Sequence, residues 1–297
     1  MLHAVTCIFN PRSYRSRIDN YRAFRQGVEA VGLPLLTVEL AFGDQPFALE
    51  PATDVLRLRT PDVLWQKERL LNHAISMLPP EYDKVAWLDC DLLFENTDWP
   101  AAAERALEDF AAVQLFETVT RQAPPEIEET ETEHGVVWGL AHGRRLDEPV
   151  KVHGSPGFAW AARREILSEC GLYDRLILGA ADYAMVHTMY GTYLEDFSFP
   201  KRIVSAKEFA LFLPWAERFH RRVDGNVGWV EGNIQHLWHG RQADRRYGTR
   251  LIDMRPFDFD PAVDIRIGED HCWHWATDKE GLHAYVTDYF SARREDG

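Results

Sequence analysis

The stretch Lys84–Phe94, KVAWLDCDLLF, decides how the fold reads. Val85, Ala86, Trp87 and Leu88 form an unbroken apolar run bounded by polar residues, the pattern of a strand covered on both faces. Asp89 and Asp91 follow just past its C-terminal end. On an extended backbone, side chains two residues apart point the same way with Cα atoms roughly 6 to 7 Å apart, so the two carboxylates could grip one divalent cation. In open α/β sheets ligands bind in the crevice beyond the carboxyl ends of the strands, where this pair would sit. Alone, the pair is a weak signal and reads first as a solvated strand end, because aspartate is common where strands run into turns.

Toward the N-terminus, Thr60 and Pro61 supply a hydroxyl cap and a proline at the first helical position, which predicts a helix through LWQKERLLNHAISML that stops at Pro79 and Pro80. Leu64, Leu71, Ile75 and Leu78 make its apolar stripe, broadened by Leu70 and Ala74, while Lys67 and Asn72 lie off it. Further upstream, His3–Phe9 reads as the first strand. A loop with Asn10, Pro11, Arg12, Arg15 and Arg17 follows. An Asp19-led helix then carries Phe24, Val28 and Val31 to Gly32, and Leu35–Leu40 is a second strand. Strand, basic loop, helix, strand is how a nucleotide-binding α/β unit begins, although arginines in a loop also serve solubility alone.

Toward the C-terminus, Asp98 and Pro100 open a helix, and AAVQLF (residues 111–116) is a strand. Residues 117–150, with Pro124, Pro125 and the acidic EIEETETEHG, are expected to form a long surface excursion without a core of their own. Such loops are usually mere connections, but near a substrate site they also act as lids or acceptor surfaces. Gly154 and Gly157 flank a turn, Phe158–Ala162 reads as a strand, and Arg163–Cys170 is a short helix ended by Gly171. Asp182 lies at the mouth of another helix, where an N-cap is its purely structural role. His236 and His239 bracket HLWH, which could equally be aromatic-rich packing. Residues 251–297 read as an irregular extension packed on the domain.

At 297 residues the chain is long enough for one large domain or two smaller ones, with a full hydrophobic core. Its net charge of -14 argues against nucleic acid and anionic lipid as partners, since both require a basic face. An anionic substrate would need a local cation or clustered arginines. The apolar stretch at the N-terminus is too short for a membrane span, and its basic residues follow rather than precede it, the wrong order for a secretory signal. Cys7, Cys90, Cys170 and Cys272 are sparse and unclustered, which predicts reduced thiols and a cytoplasmic setting.

The ordered set QKERLLN (66–72), WLDCDLLF (87–94), GSPGFAWAARREILSECGLYD (154–174), Gly179–Asp182 and HLWH (236–239) resembles the beta-1,4-galactosyltransferase family of nucleotide-sugar transferases. The resemblance implies a GT-A, Rossmann-like α/β domain over residues 1–250, with a central mostly parallel sheet flanked by helices. It implies a metal-dependent, inverting hexosyl transfer from a nucleotide sugar, with uridine diphosphate leaving, to a hydroxyl of a glycan or other acceptor. Asp91, His236 and His239 then fall on metal-ligand positions, with manganese the expected ion. Asp89, Lys67 and Asn72 fall on the nucleotide-sugar side, and Asp182 on the acidic catalytic base. Pro11, Arg12 and Arg15 match, loosely, a proline-arginine loop that holds the nucleoside. Leu176–Gly179 and Ala181 replace the family's acceptor-binding residues, so the acceptor does not carry over. Independently of the family, mixed oxygen and imidazole ligands suit Mn²⁺, Co²⁺ or Zn²⁺ better than Mg²⁺. Two alternatives remain open: a catalytically silent nucleotide-sugar-binding module, and a metal phosphohydrolase using Asp89 as nucleophile.

Overall fold

A computed structural model of the chain describes residues 1–123 and 130–297. In chain order the first half consists of β1 (Leu2–Phe9), α1 (Arg15–Ala30), β2 (Leu35–Phe42), β3 (Val55–Thr60), α2 (Lys67–Met77), β4 (Lys84–Leu88), β5 (Leu92–Phe94), α3 (Trp99–Asp109), β6 (Ala112–Gln114), β7 (Thr118–Arg121), β8 (Glu131–His134) and α4 (Val136–Ala141). It continues through α5 (Val150–His153), β9 (Ala159–Arg163), α6 (Arg164–Cys170), α7 (Ala181–Met189), α8 (Phe199–Ile203), α9 (Ala206–Val223), β10 (Val227–Trp229), β11 (Asn233–His236), β12 (Ile265–Ile267), β13 (Trp273–Trp275) and α10 (Glu280–Ala292).

Seven strands form the main sheet in the order β10-β6-β9-β4-β1-β2-β3. β4, β1, β2 and β3 run parallel, and β9 alone is antiparallel to both its neighbours. The apolar run around β4 is explained by period two: Val85 and Trp87 enter one core with α2, α6, α7 and α9, while Ala86 and Leu88 enter a second with α1 and α3. β1 divides in the same way, Val5, Cys7 and Phe9 against Ala4 and Ile8. The mixed α/β architecture with a mostly parallel central sheet is therefore the one expected from the sequence.

A second sheet, in the order β5-β11-β7-β8, grows from the end of β4. β5 pairs antiparallel with β11, and His236 lies opposite Leu92. This register decides the site, because it sets the end of HLWH's strand beside the residue that follows Asp91.

Three expectations change. The helix of QKERLLN begins at Lys67, six residues after Pro61, because Thr60 closes β3 and the intervening backbone is held elsewhere. Trp65 donates its backbone N–H to Ile177, and both ends of the Gln66 amide bond to Trp273. Residues 117–150 are not one excursion: Thr118–Arg121 and Glu131–His134 pair as β7 and β8, and Val136 and Val137 of α4 are fully buried. Pro124 and Pro125 lie outside the described residues. The extension 251–297 is more ordered than its composition suggests, with a hairpin of β12 and β13 and the helix α10, whose Leu282, Val286, Tyr289 and Phe290 are buried.

Candidate functional site

A cavity of about 700 Å³ opens at the carboxyl ends of β1 and β4. Asp89, Asp91, Lys67, Asp182, His236, His239 and Pro11 all line it. Arg12, Arg15 and Asn72 are not among its lining residues. Arg12 and Arg15 are exposed, bonded to the Thr287 carbonyl and to Asp19 respectively. Asn72 spends its amide on the backbone of Leu172, donating to the carbonyl and accepting from the N–H. The cation of the basic segment after β1 that faces the cavity is Arg17, which lies in the first turn of α1 because that helix begins at Arg15 and not, as expected, at Asp19.

The two aspartates do not act as a pair, because the extended backbone ends at Leu88 and the chain turns through Cys90 and Asp91. Asp89 goes to α2, where the Lys67 ammonium lies 2.6 Å from its Oδ1 and 3.1 Å from Asp182 Oδ2. Lys67 lies off the apolar stripe, but it is not a solvent residue: it is 8% exposed. Burial disfavours its charge, yet Asp182, Asp89 and Glu68 together hold its pKa well above the usual value. Partial burial pushes Asp89 up to about 6 despite Lys67, with Asp182 and Asp91 adding repulsion. Burial likewise lifts Glu68, the next residue of α2, to about 8, with Lys67 opposing it.

Asp91 goes the other way, toward β11. Its Oδ2 accepts from Arg17 Nη1 at 2.8 Å and lies 3.0 Å from His239 Nε2. The two Nε2 atoms of His236 and His239 are 3.1 Å apart. Burial would raise the Asp91 carboxyl, but His239, His236 and Arg17 together hold it well below the ordinary range. Burial drives the His236 imidazolium out, so its pKa falls well below normal, aided by His239 and Arg245. Asp91 Oδ1 is buried and accepts no hydrogen bond among the described residues. A carboxylate oxygen without a partner, beside converging imidazole nitrogens, fits a divalent cation: one donor atom from each of Asp91, His236 and His239 lies within 4.8 Å of the others.

Behind the triad stands a shell contributed by the C-terminal segment. Glu295 Oε1 lies 3.3 Å from His239 Nδ1 and accepts from Arg293 Nε at 2.7 Å. Asp296 accepts the backbone N–H groups of Arg15 and Ser16 at the start of α1, at 3.0 and 2.8 Å, which docks the tail there. Arg245 donates to the His239 carbonyl at 3.1 Å. Arg17 was legible only as one arginine of the basic segment after β1, and Arg245, Arg250, Arg293 and Glu295 were not expected at the site at all; the arginine runs around Arg15 and Arg245 were the local signals.

Asp182 stands in the first turn of α7, whose preceding residue Ala180 has φ 82°, a left-handed conformation that strains a residue with a Cβ. A Cβ placed on Gly157 would sit 3.5 Å from Asp182 Oδ2, so the turn after β8 and α5 passes close over the carboxylate. Both Ala180 and Gly157 line the cavity.

Fold and site together define a mixed α/β protein with a candidate metal-and-anion cavity at the carboxyl edge of its parallel strands. No protein-family model and no curated protein matches the chain. Among solved structures it is similar to a Drosophila β1,4-galactosyltransferase 7 mutant in complex with manganese, UDP-Gal and xylobiose, at 11% identity over 96% of this chain and 98% of that one, with a TM-score of 0.43. It is also similar to a 4-diphosphocytidyl-2C-methyl-D-erythritol synthase from Anaerococcus prevotii, at 11% identity over 78% of this chain and 87% of that one, with a TM-score of 0.36. At identities and TM-scores this low, the likeness says nothing about this chain's chemistry.

Proposed function

We propose that the protein is a metal-dependent, inverting glycosyltransferase that moves a sugar from a nucleotide donor, with uridine diphosphate as leaving group, to a hydroxyl of a glycan or other acceptor. The observation that carries this reading is the orphaned Asp91 Oδ1 beside His236 and His239, in the same cavity as a second acidic centre, Lys67–Asp89–Asp182. Asp91, His236 and His239 would hold the divalent ion; the donor set suits Mn²⁺, Co²⁺ or Zn²⁺ better than Mg²⁺, and Mn²⁺ is the one the family resemblance implies. When bound, such an ion neutralises the charge that a departing diphosphate acquires.

The chain's own residues divide the remaining work. Lys67 tethers both carboxylates, fixing Asp182 at the cavity wall and Asp89 toward the donor. Asp182 takes the proton from the acceptor hydroxyl as the new glycosidic C–O bond forms and the bond from the anomeric carbon to the diphosphate oxygen breaks. Pro11, with Asn10 and Tyr14, lines the side where β1 ends, and it is assigned to the nucleoside. Among the described residues no helix is long and apolar enough to cross a membrane. The proposed cytoplasmic setting rests on the four cysteines, all free and buried.

The test is slow donor hydrolysis by the purified chain with Mn²⁺ and a panel of nucleotide sugars. Release of nucleoside diphosphate from one of them, lost in EDTA, is expected. Tight binding of a nucleotide sugar without release would favour the silent binding module, and release of phosphate from simple phosphate esters would favour the phosphohydrolase.

A further inference from the structure

The cavity wall beyond HLWH carries a charge pattern that touches the metal triad only through Arg245, whose Nη2 donates to the His239 carbonyl at 3.1 Å and lies 3.0 Å from both His239 ring nitrogens. Arg245, Arg250 and Arg293 all face the cavity, yet they are only 5%, 3% and 6% exposed. They interlock through phenol oxygens and a carbonyl. Arg250 Nη1 donates to Tyr289 at 2.9 Å and Arg293 Nη1 donates to the same hydroxyl at 3.1 Å. Arg250 Nη1 also reaches the Arg245 carbonyl at 3.3 Å, and Arg245 Nη1 donates to Tyr247 at 3.1 Å. Among the described residues neither Arg245 nor Arg250 pairs with a carboxylate, and the buried Nε of each has no partner.

With Arg17, the wall holds four guanidinium groups against two carboxylates, Asp91 and Glu295. Four against two leaves two positive charges without a counterion. That surplus is buried in a chain whose net charge is -14. A buried charge without a partner costs several kcal/mol, so the arrangement is expensive unless something enters the cavity to match it. Guanidinium forks present paired N–H donors to phosphate oxygens, which makes them the side chains suited to a polyphosphate.

We propose that Arg245, Arg250 and Arg293 form a diphosphate-binding wall that works independently of the divalent ion. This rests on the reading of the cavity as a nucleotide-sugar site, and it deepens that reading by giving the C-terminal segment a role: it closes the site and supplies the cationic side. The diphosphate is gripped by arginines on this wall as well as by the ion on the Asp91 side.

The experiment is calorimetric titration of the full chain with inorganic pyrophosphate in EDTA, for wild type and for Arg250→Gln and Arg250→Lys. The wild type is expected to bind, less tightly as salt rises. Arg250→Gln should lose at least about tenfold in affinity, the low end for a charged hydrogen-bonding partner, and Arg250→Lys should lose less. Ligand-free Arg250→Gln should melt at the wild-type temperature or above it, because an unmatched buried charge has gone. A purely structural arginine would instead lower that temperature and leave pyrophosphate affinity unchanged. Such a result, or the absence of pyrophosphate binding by the wild type, overturns the proposal. If Arg250→Gln does not fold, the wild type decides: pyrophosphate should raise its melting temperature in EDTA where chloride at equal ionic strength does not, and equal effects overturn the proposal. The two readings fail apart. Pyrophosphate binding in EDTA without turnover of any nucleotide sugar keeps the arginine wall and removes the transferase; Mn²⁺-dependent nucleotide binding indifferent to Arg250→Gln does the reverse.

Discussion

Asp89 and Asp91 are separated by one cysteine, yet their carboxyl groups are driven in opposite directions. Asp89 sits in an acid-rich half of the cavity, where one cation, Lys67, faces Asp89 and Asp182 with the charge of Glu68 nearby outside the cavity lining, and its pKa rises to about 6. Asp91 sits in a half dominated by arginine and imidazole, and its pKa is held well below normal. Two like groups with environments that push their pKa values apart fit the division of labour proposed above, in which one half would handle protons and the other fix negative charge. The division arises because the backbone turns after Leu88, sending Asp89 to α2 and Asp91 to β11.

The largest effect that separates the halves is on turnover. Asp182→Asn should leave metal and donor bound normally while lowering turnover by roughly 100-fold to 10,000-fold, the range for losing a positioned general base. His239→Ala should weaken metal and donor binding together. Single-turnover kinetics at saturating donor and Mn²⁺ distinguish them. Near-normal transfer by Asp182→Asn would remove that residue as the base.

A smaller effect concerns Lys67. Its position off the apolar stripe suggests that Lys67→Ala should weaken nucleotide binding at little cost in stability, but its ammonium bridges two carboxylates at 10% side-chain exposure. Removing one partner of a buried pair costs roughly 3–5 kcal/mol, and the partial exposure of both aspartates places this case at the low end. Chemical denaturation should show that loss, partly recovered below about pH 6 where Asp89 gains its proton. Wild-type stability in the variant would mean the ammonium is not holding the acid pair.

The smallest effect is a pH dependence of opposite sign in the two halves. Glu68 has a folded pKa raised to about 8, so between its ordinary value of 4.5 and 8 the unfolded chain has released a proton that the folded chain keeps, and stability falls as pH rises through that window. Glu68→Gln removes this slope. It should match wild type to about 1 kcal/mol near pH 5 and exceed it near pH 8. Asp91, with its depressed pKa, contributes stability that is present above the ordinary carboxylate range and lost as pH falls through its folded value. Parallel thermal melts of wild type and Glu68→Gln from pH 5 to 8.5 test the acid-rich side, and a constant offset would contradict a raised Glu68.

Much of this was legible from local pattern. The strand before Asp89, the histidines of HLWH, Lys67 and Asp182 were each readable in place, and the fold brings them to one cavity. Local pattern failed where a long-range contact decides. Arg17 faces the site while Arg12 and Arg15 do not because the tail carboxylate of Asp296 fixes the start of α1. Asn72 shares the QKERLLN motif with Lys67, but the helical turn aims it at Leu172. Arg293 and Glu295 come from a segment whose composition looked irregular, and Arg250 lies just before it; their meaning exists only once α10 has folded back against the end of β1.

The most direct test of the central claim is nucleoside diphosphate affinity by calorimetry in Mn²⁺ and in EDTA, for wild type and Asp91→Asn. Wild type should bind much more tightly with Mn²⁺, and Asp91→Asn should abolish the difference. An affinity in wild type that does not depend on the metal would contradict the claim that Asp91, His236 and His239 hold a cation for the diphosphate.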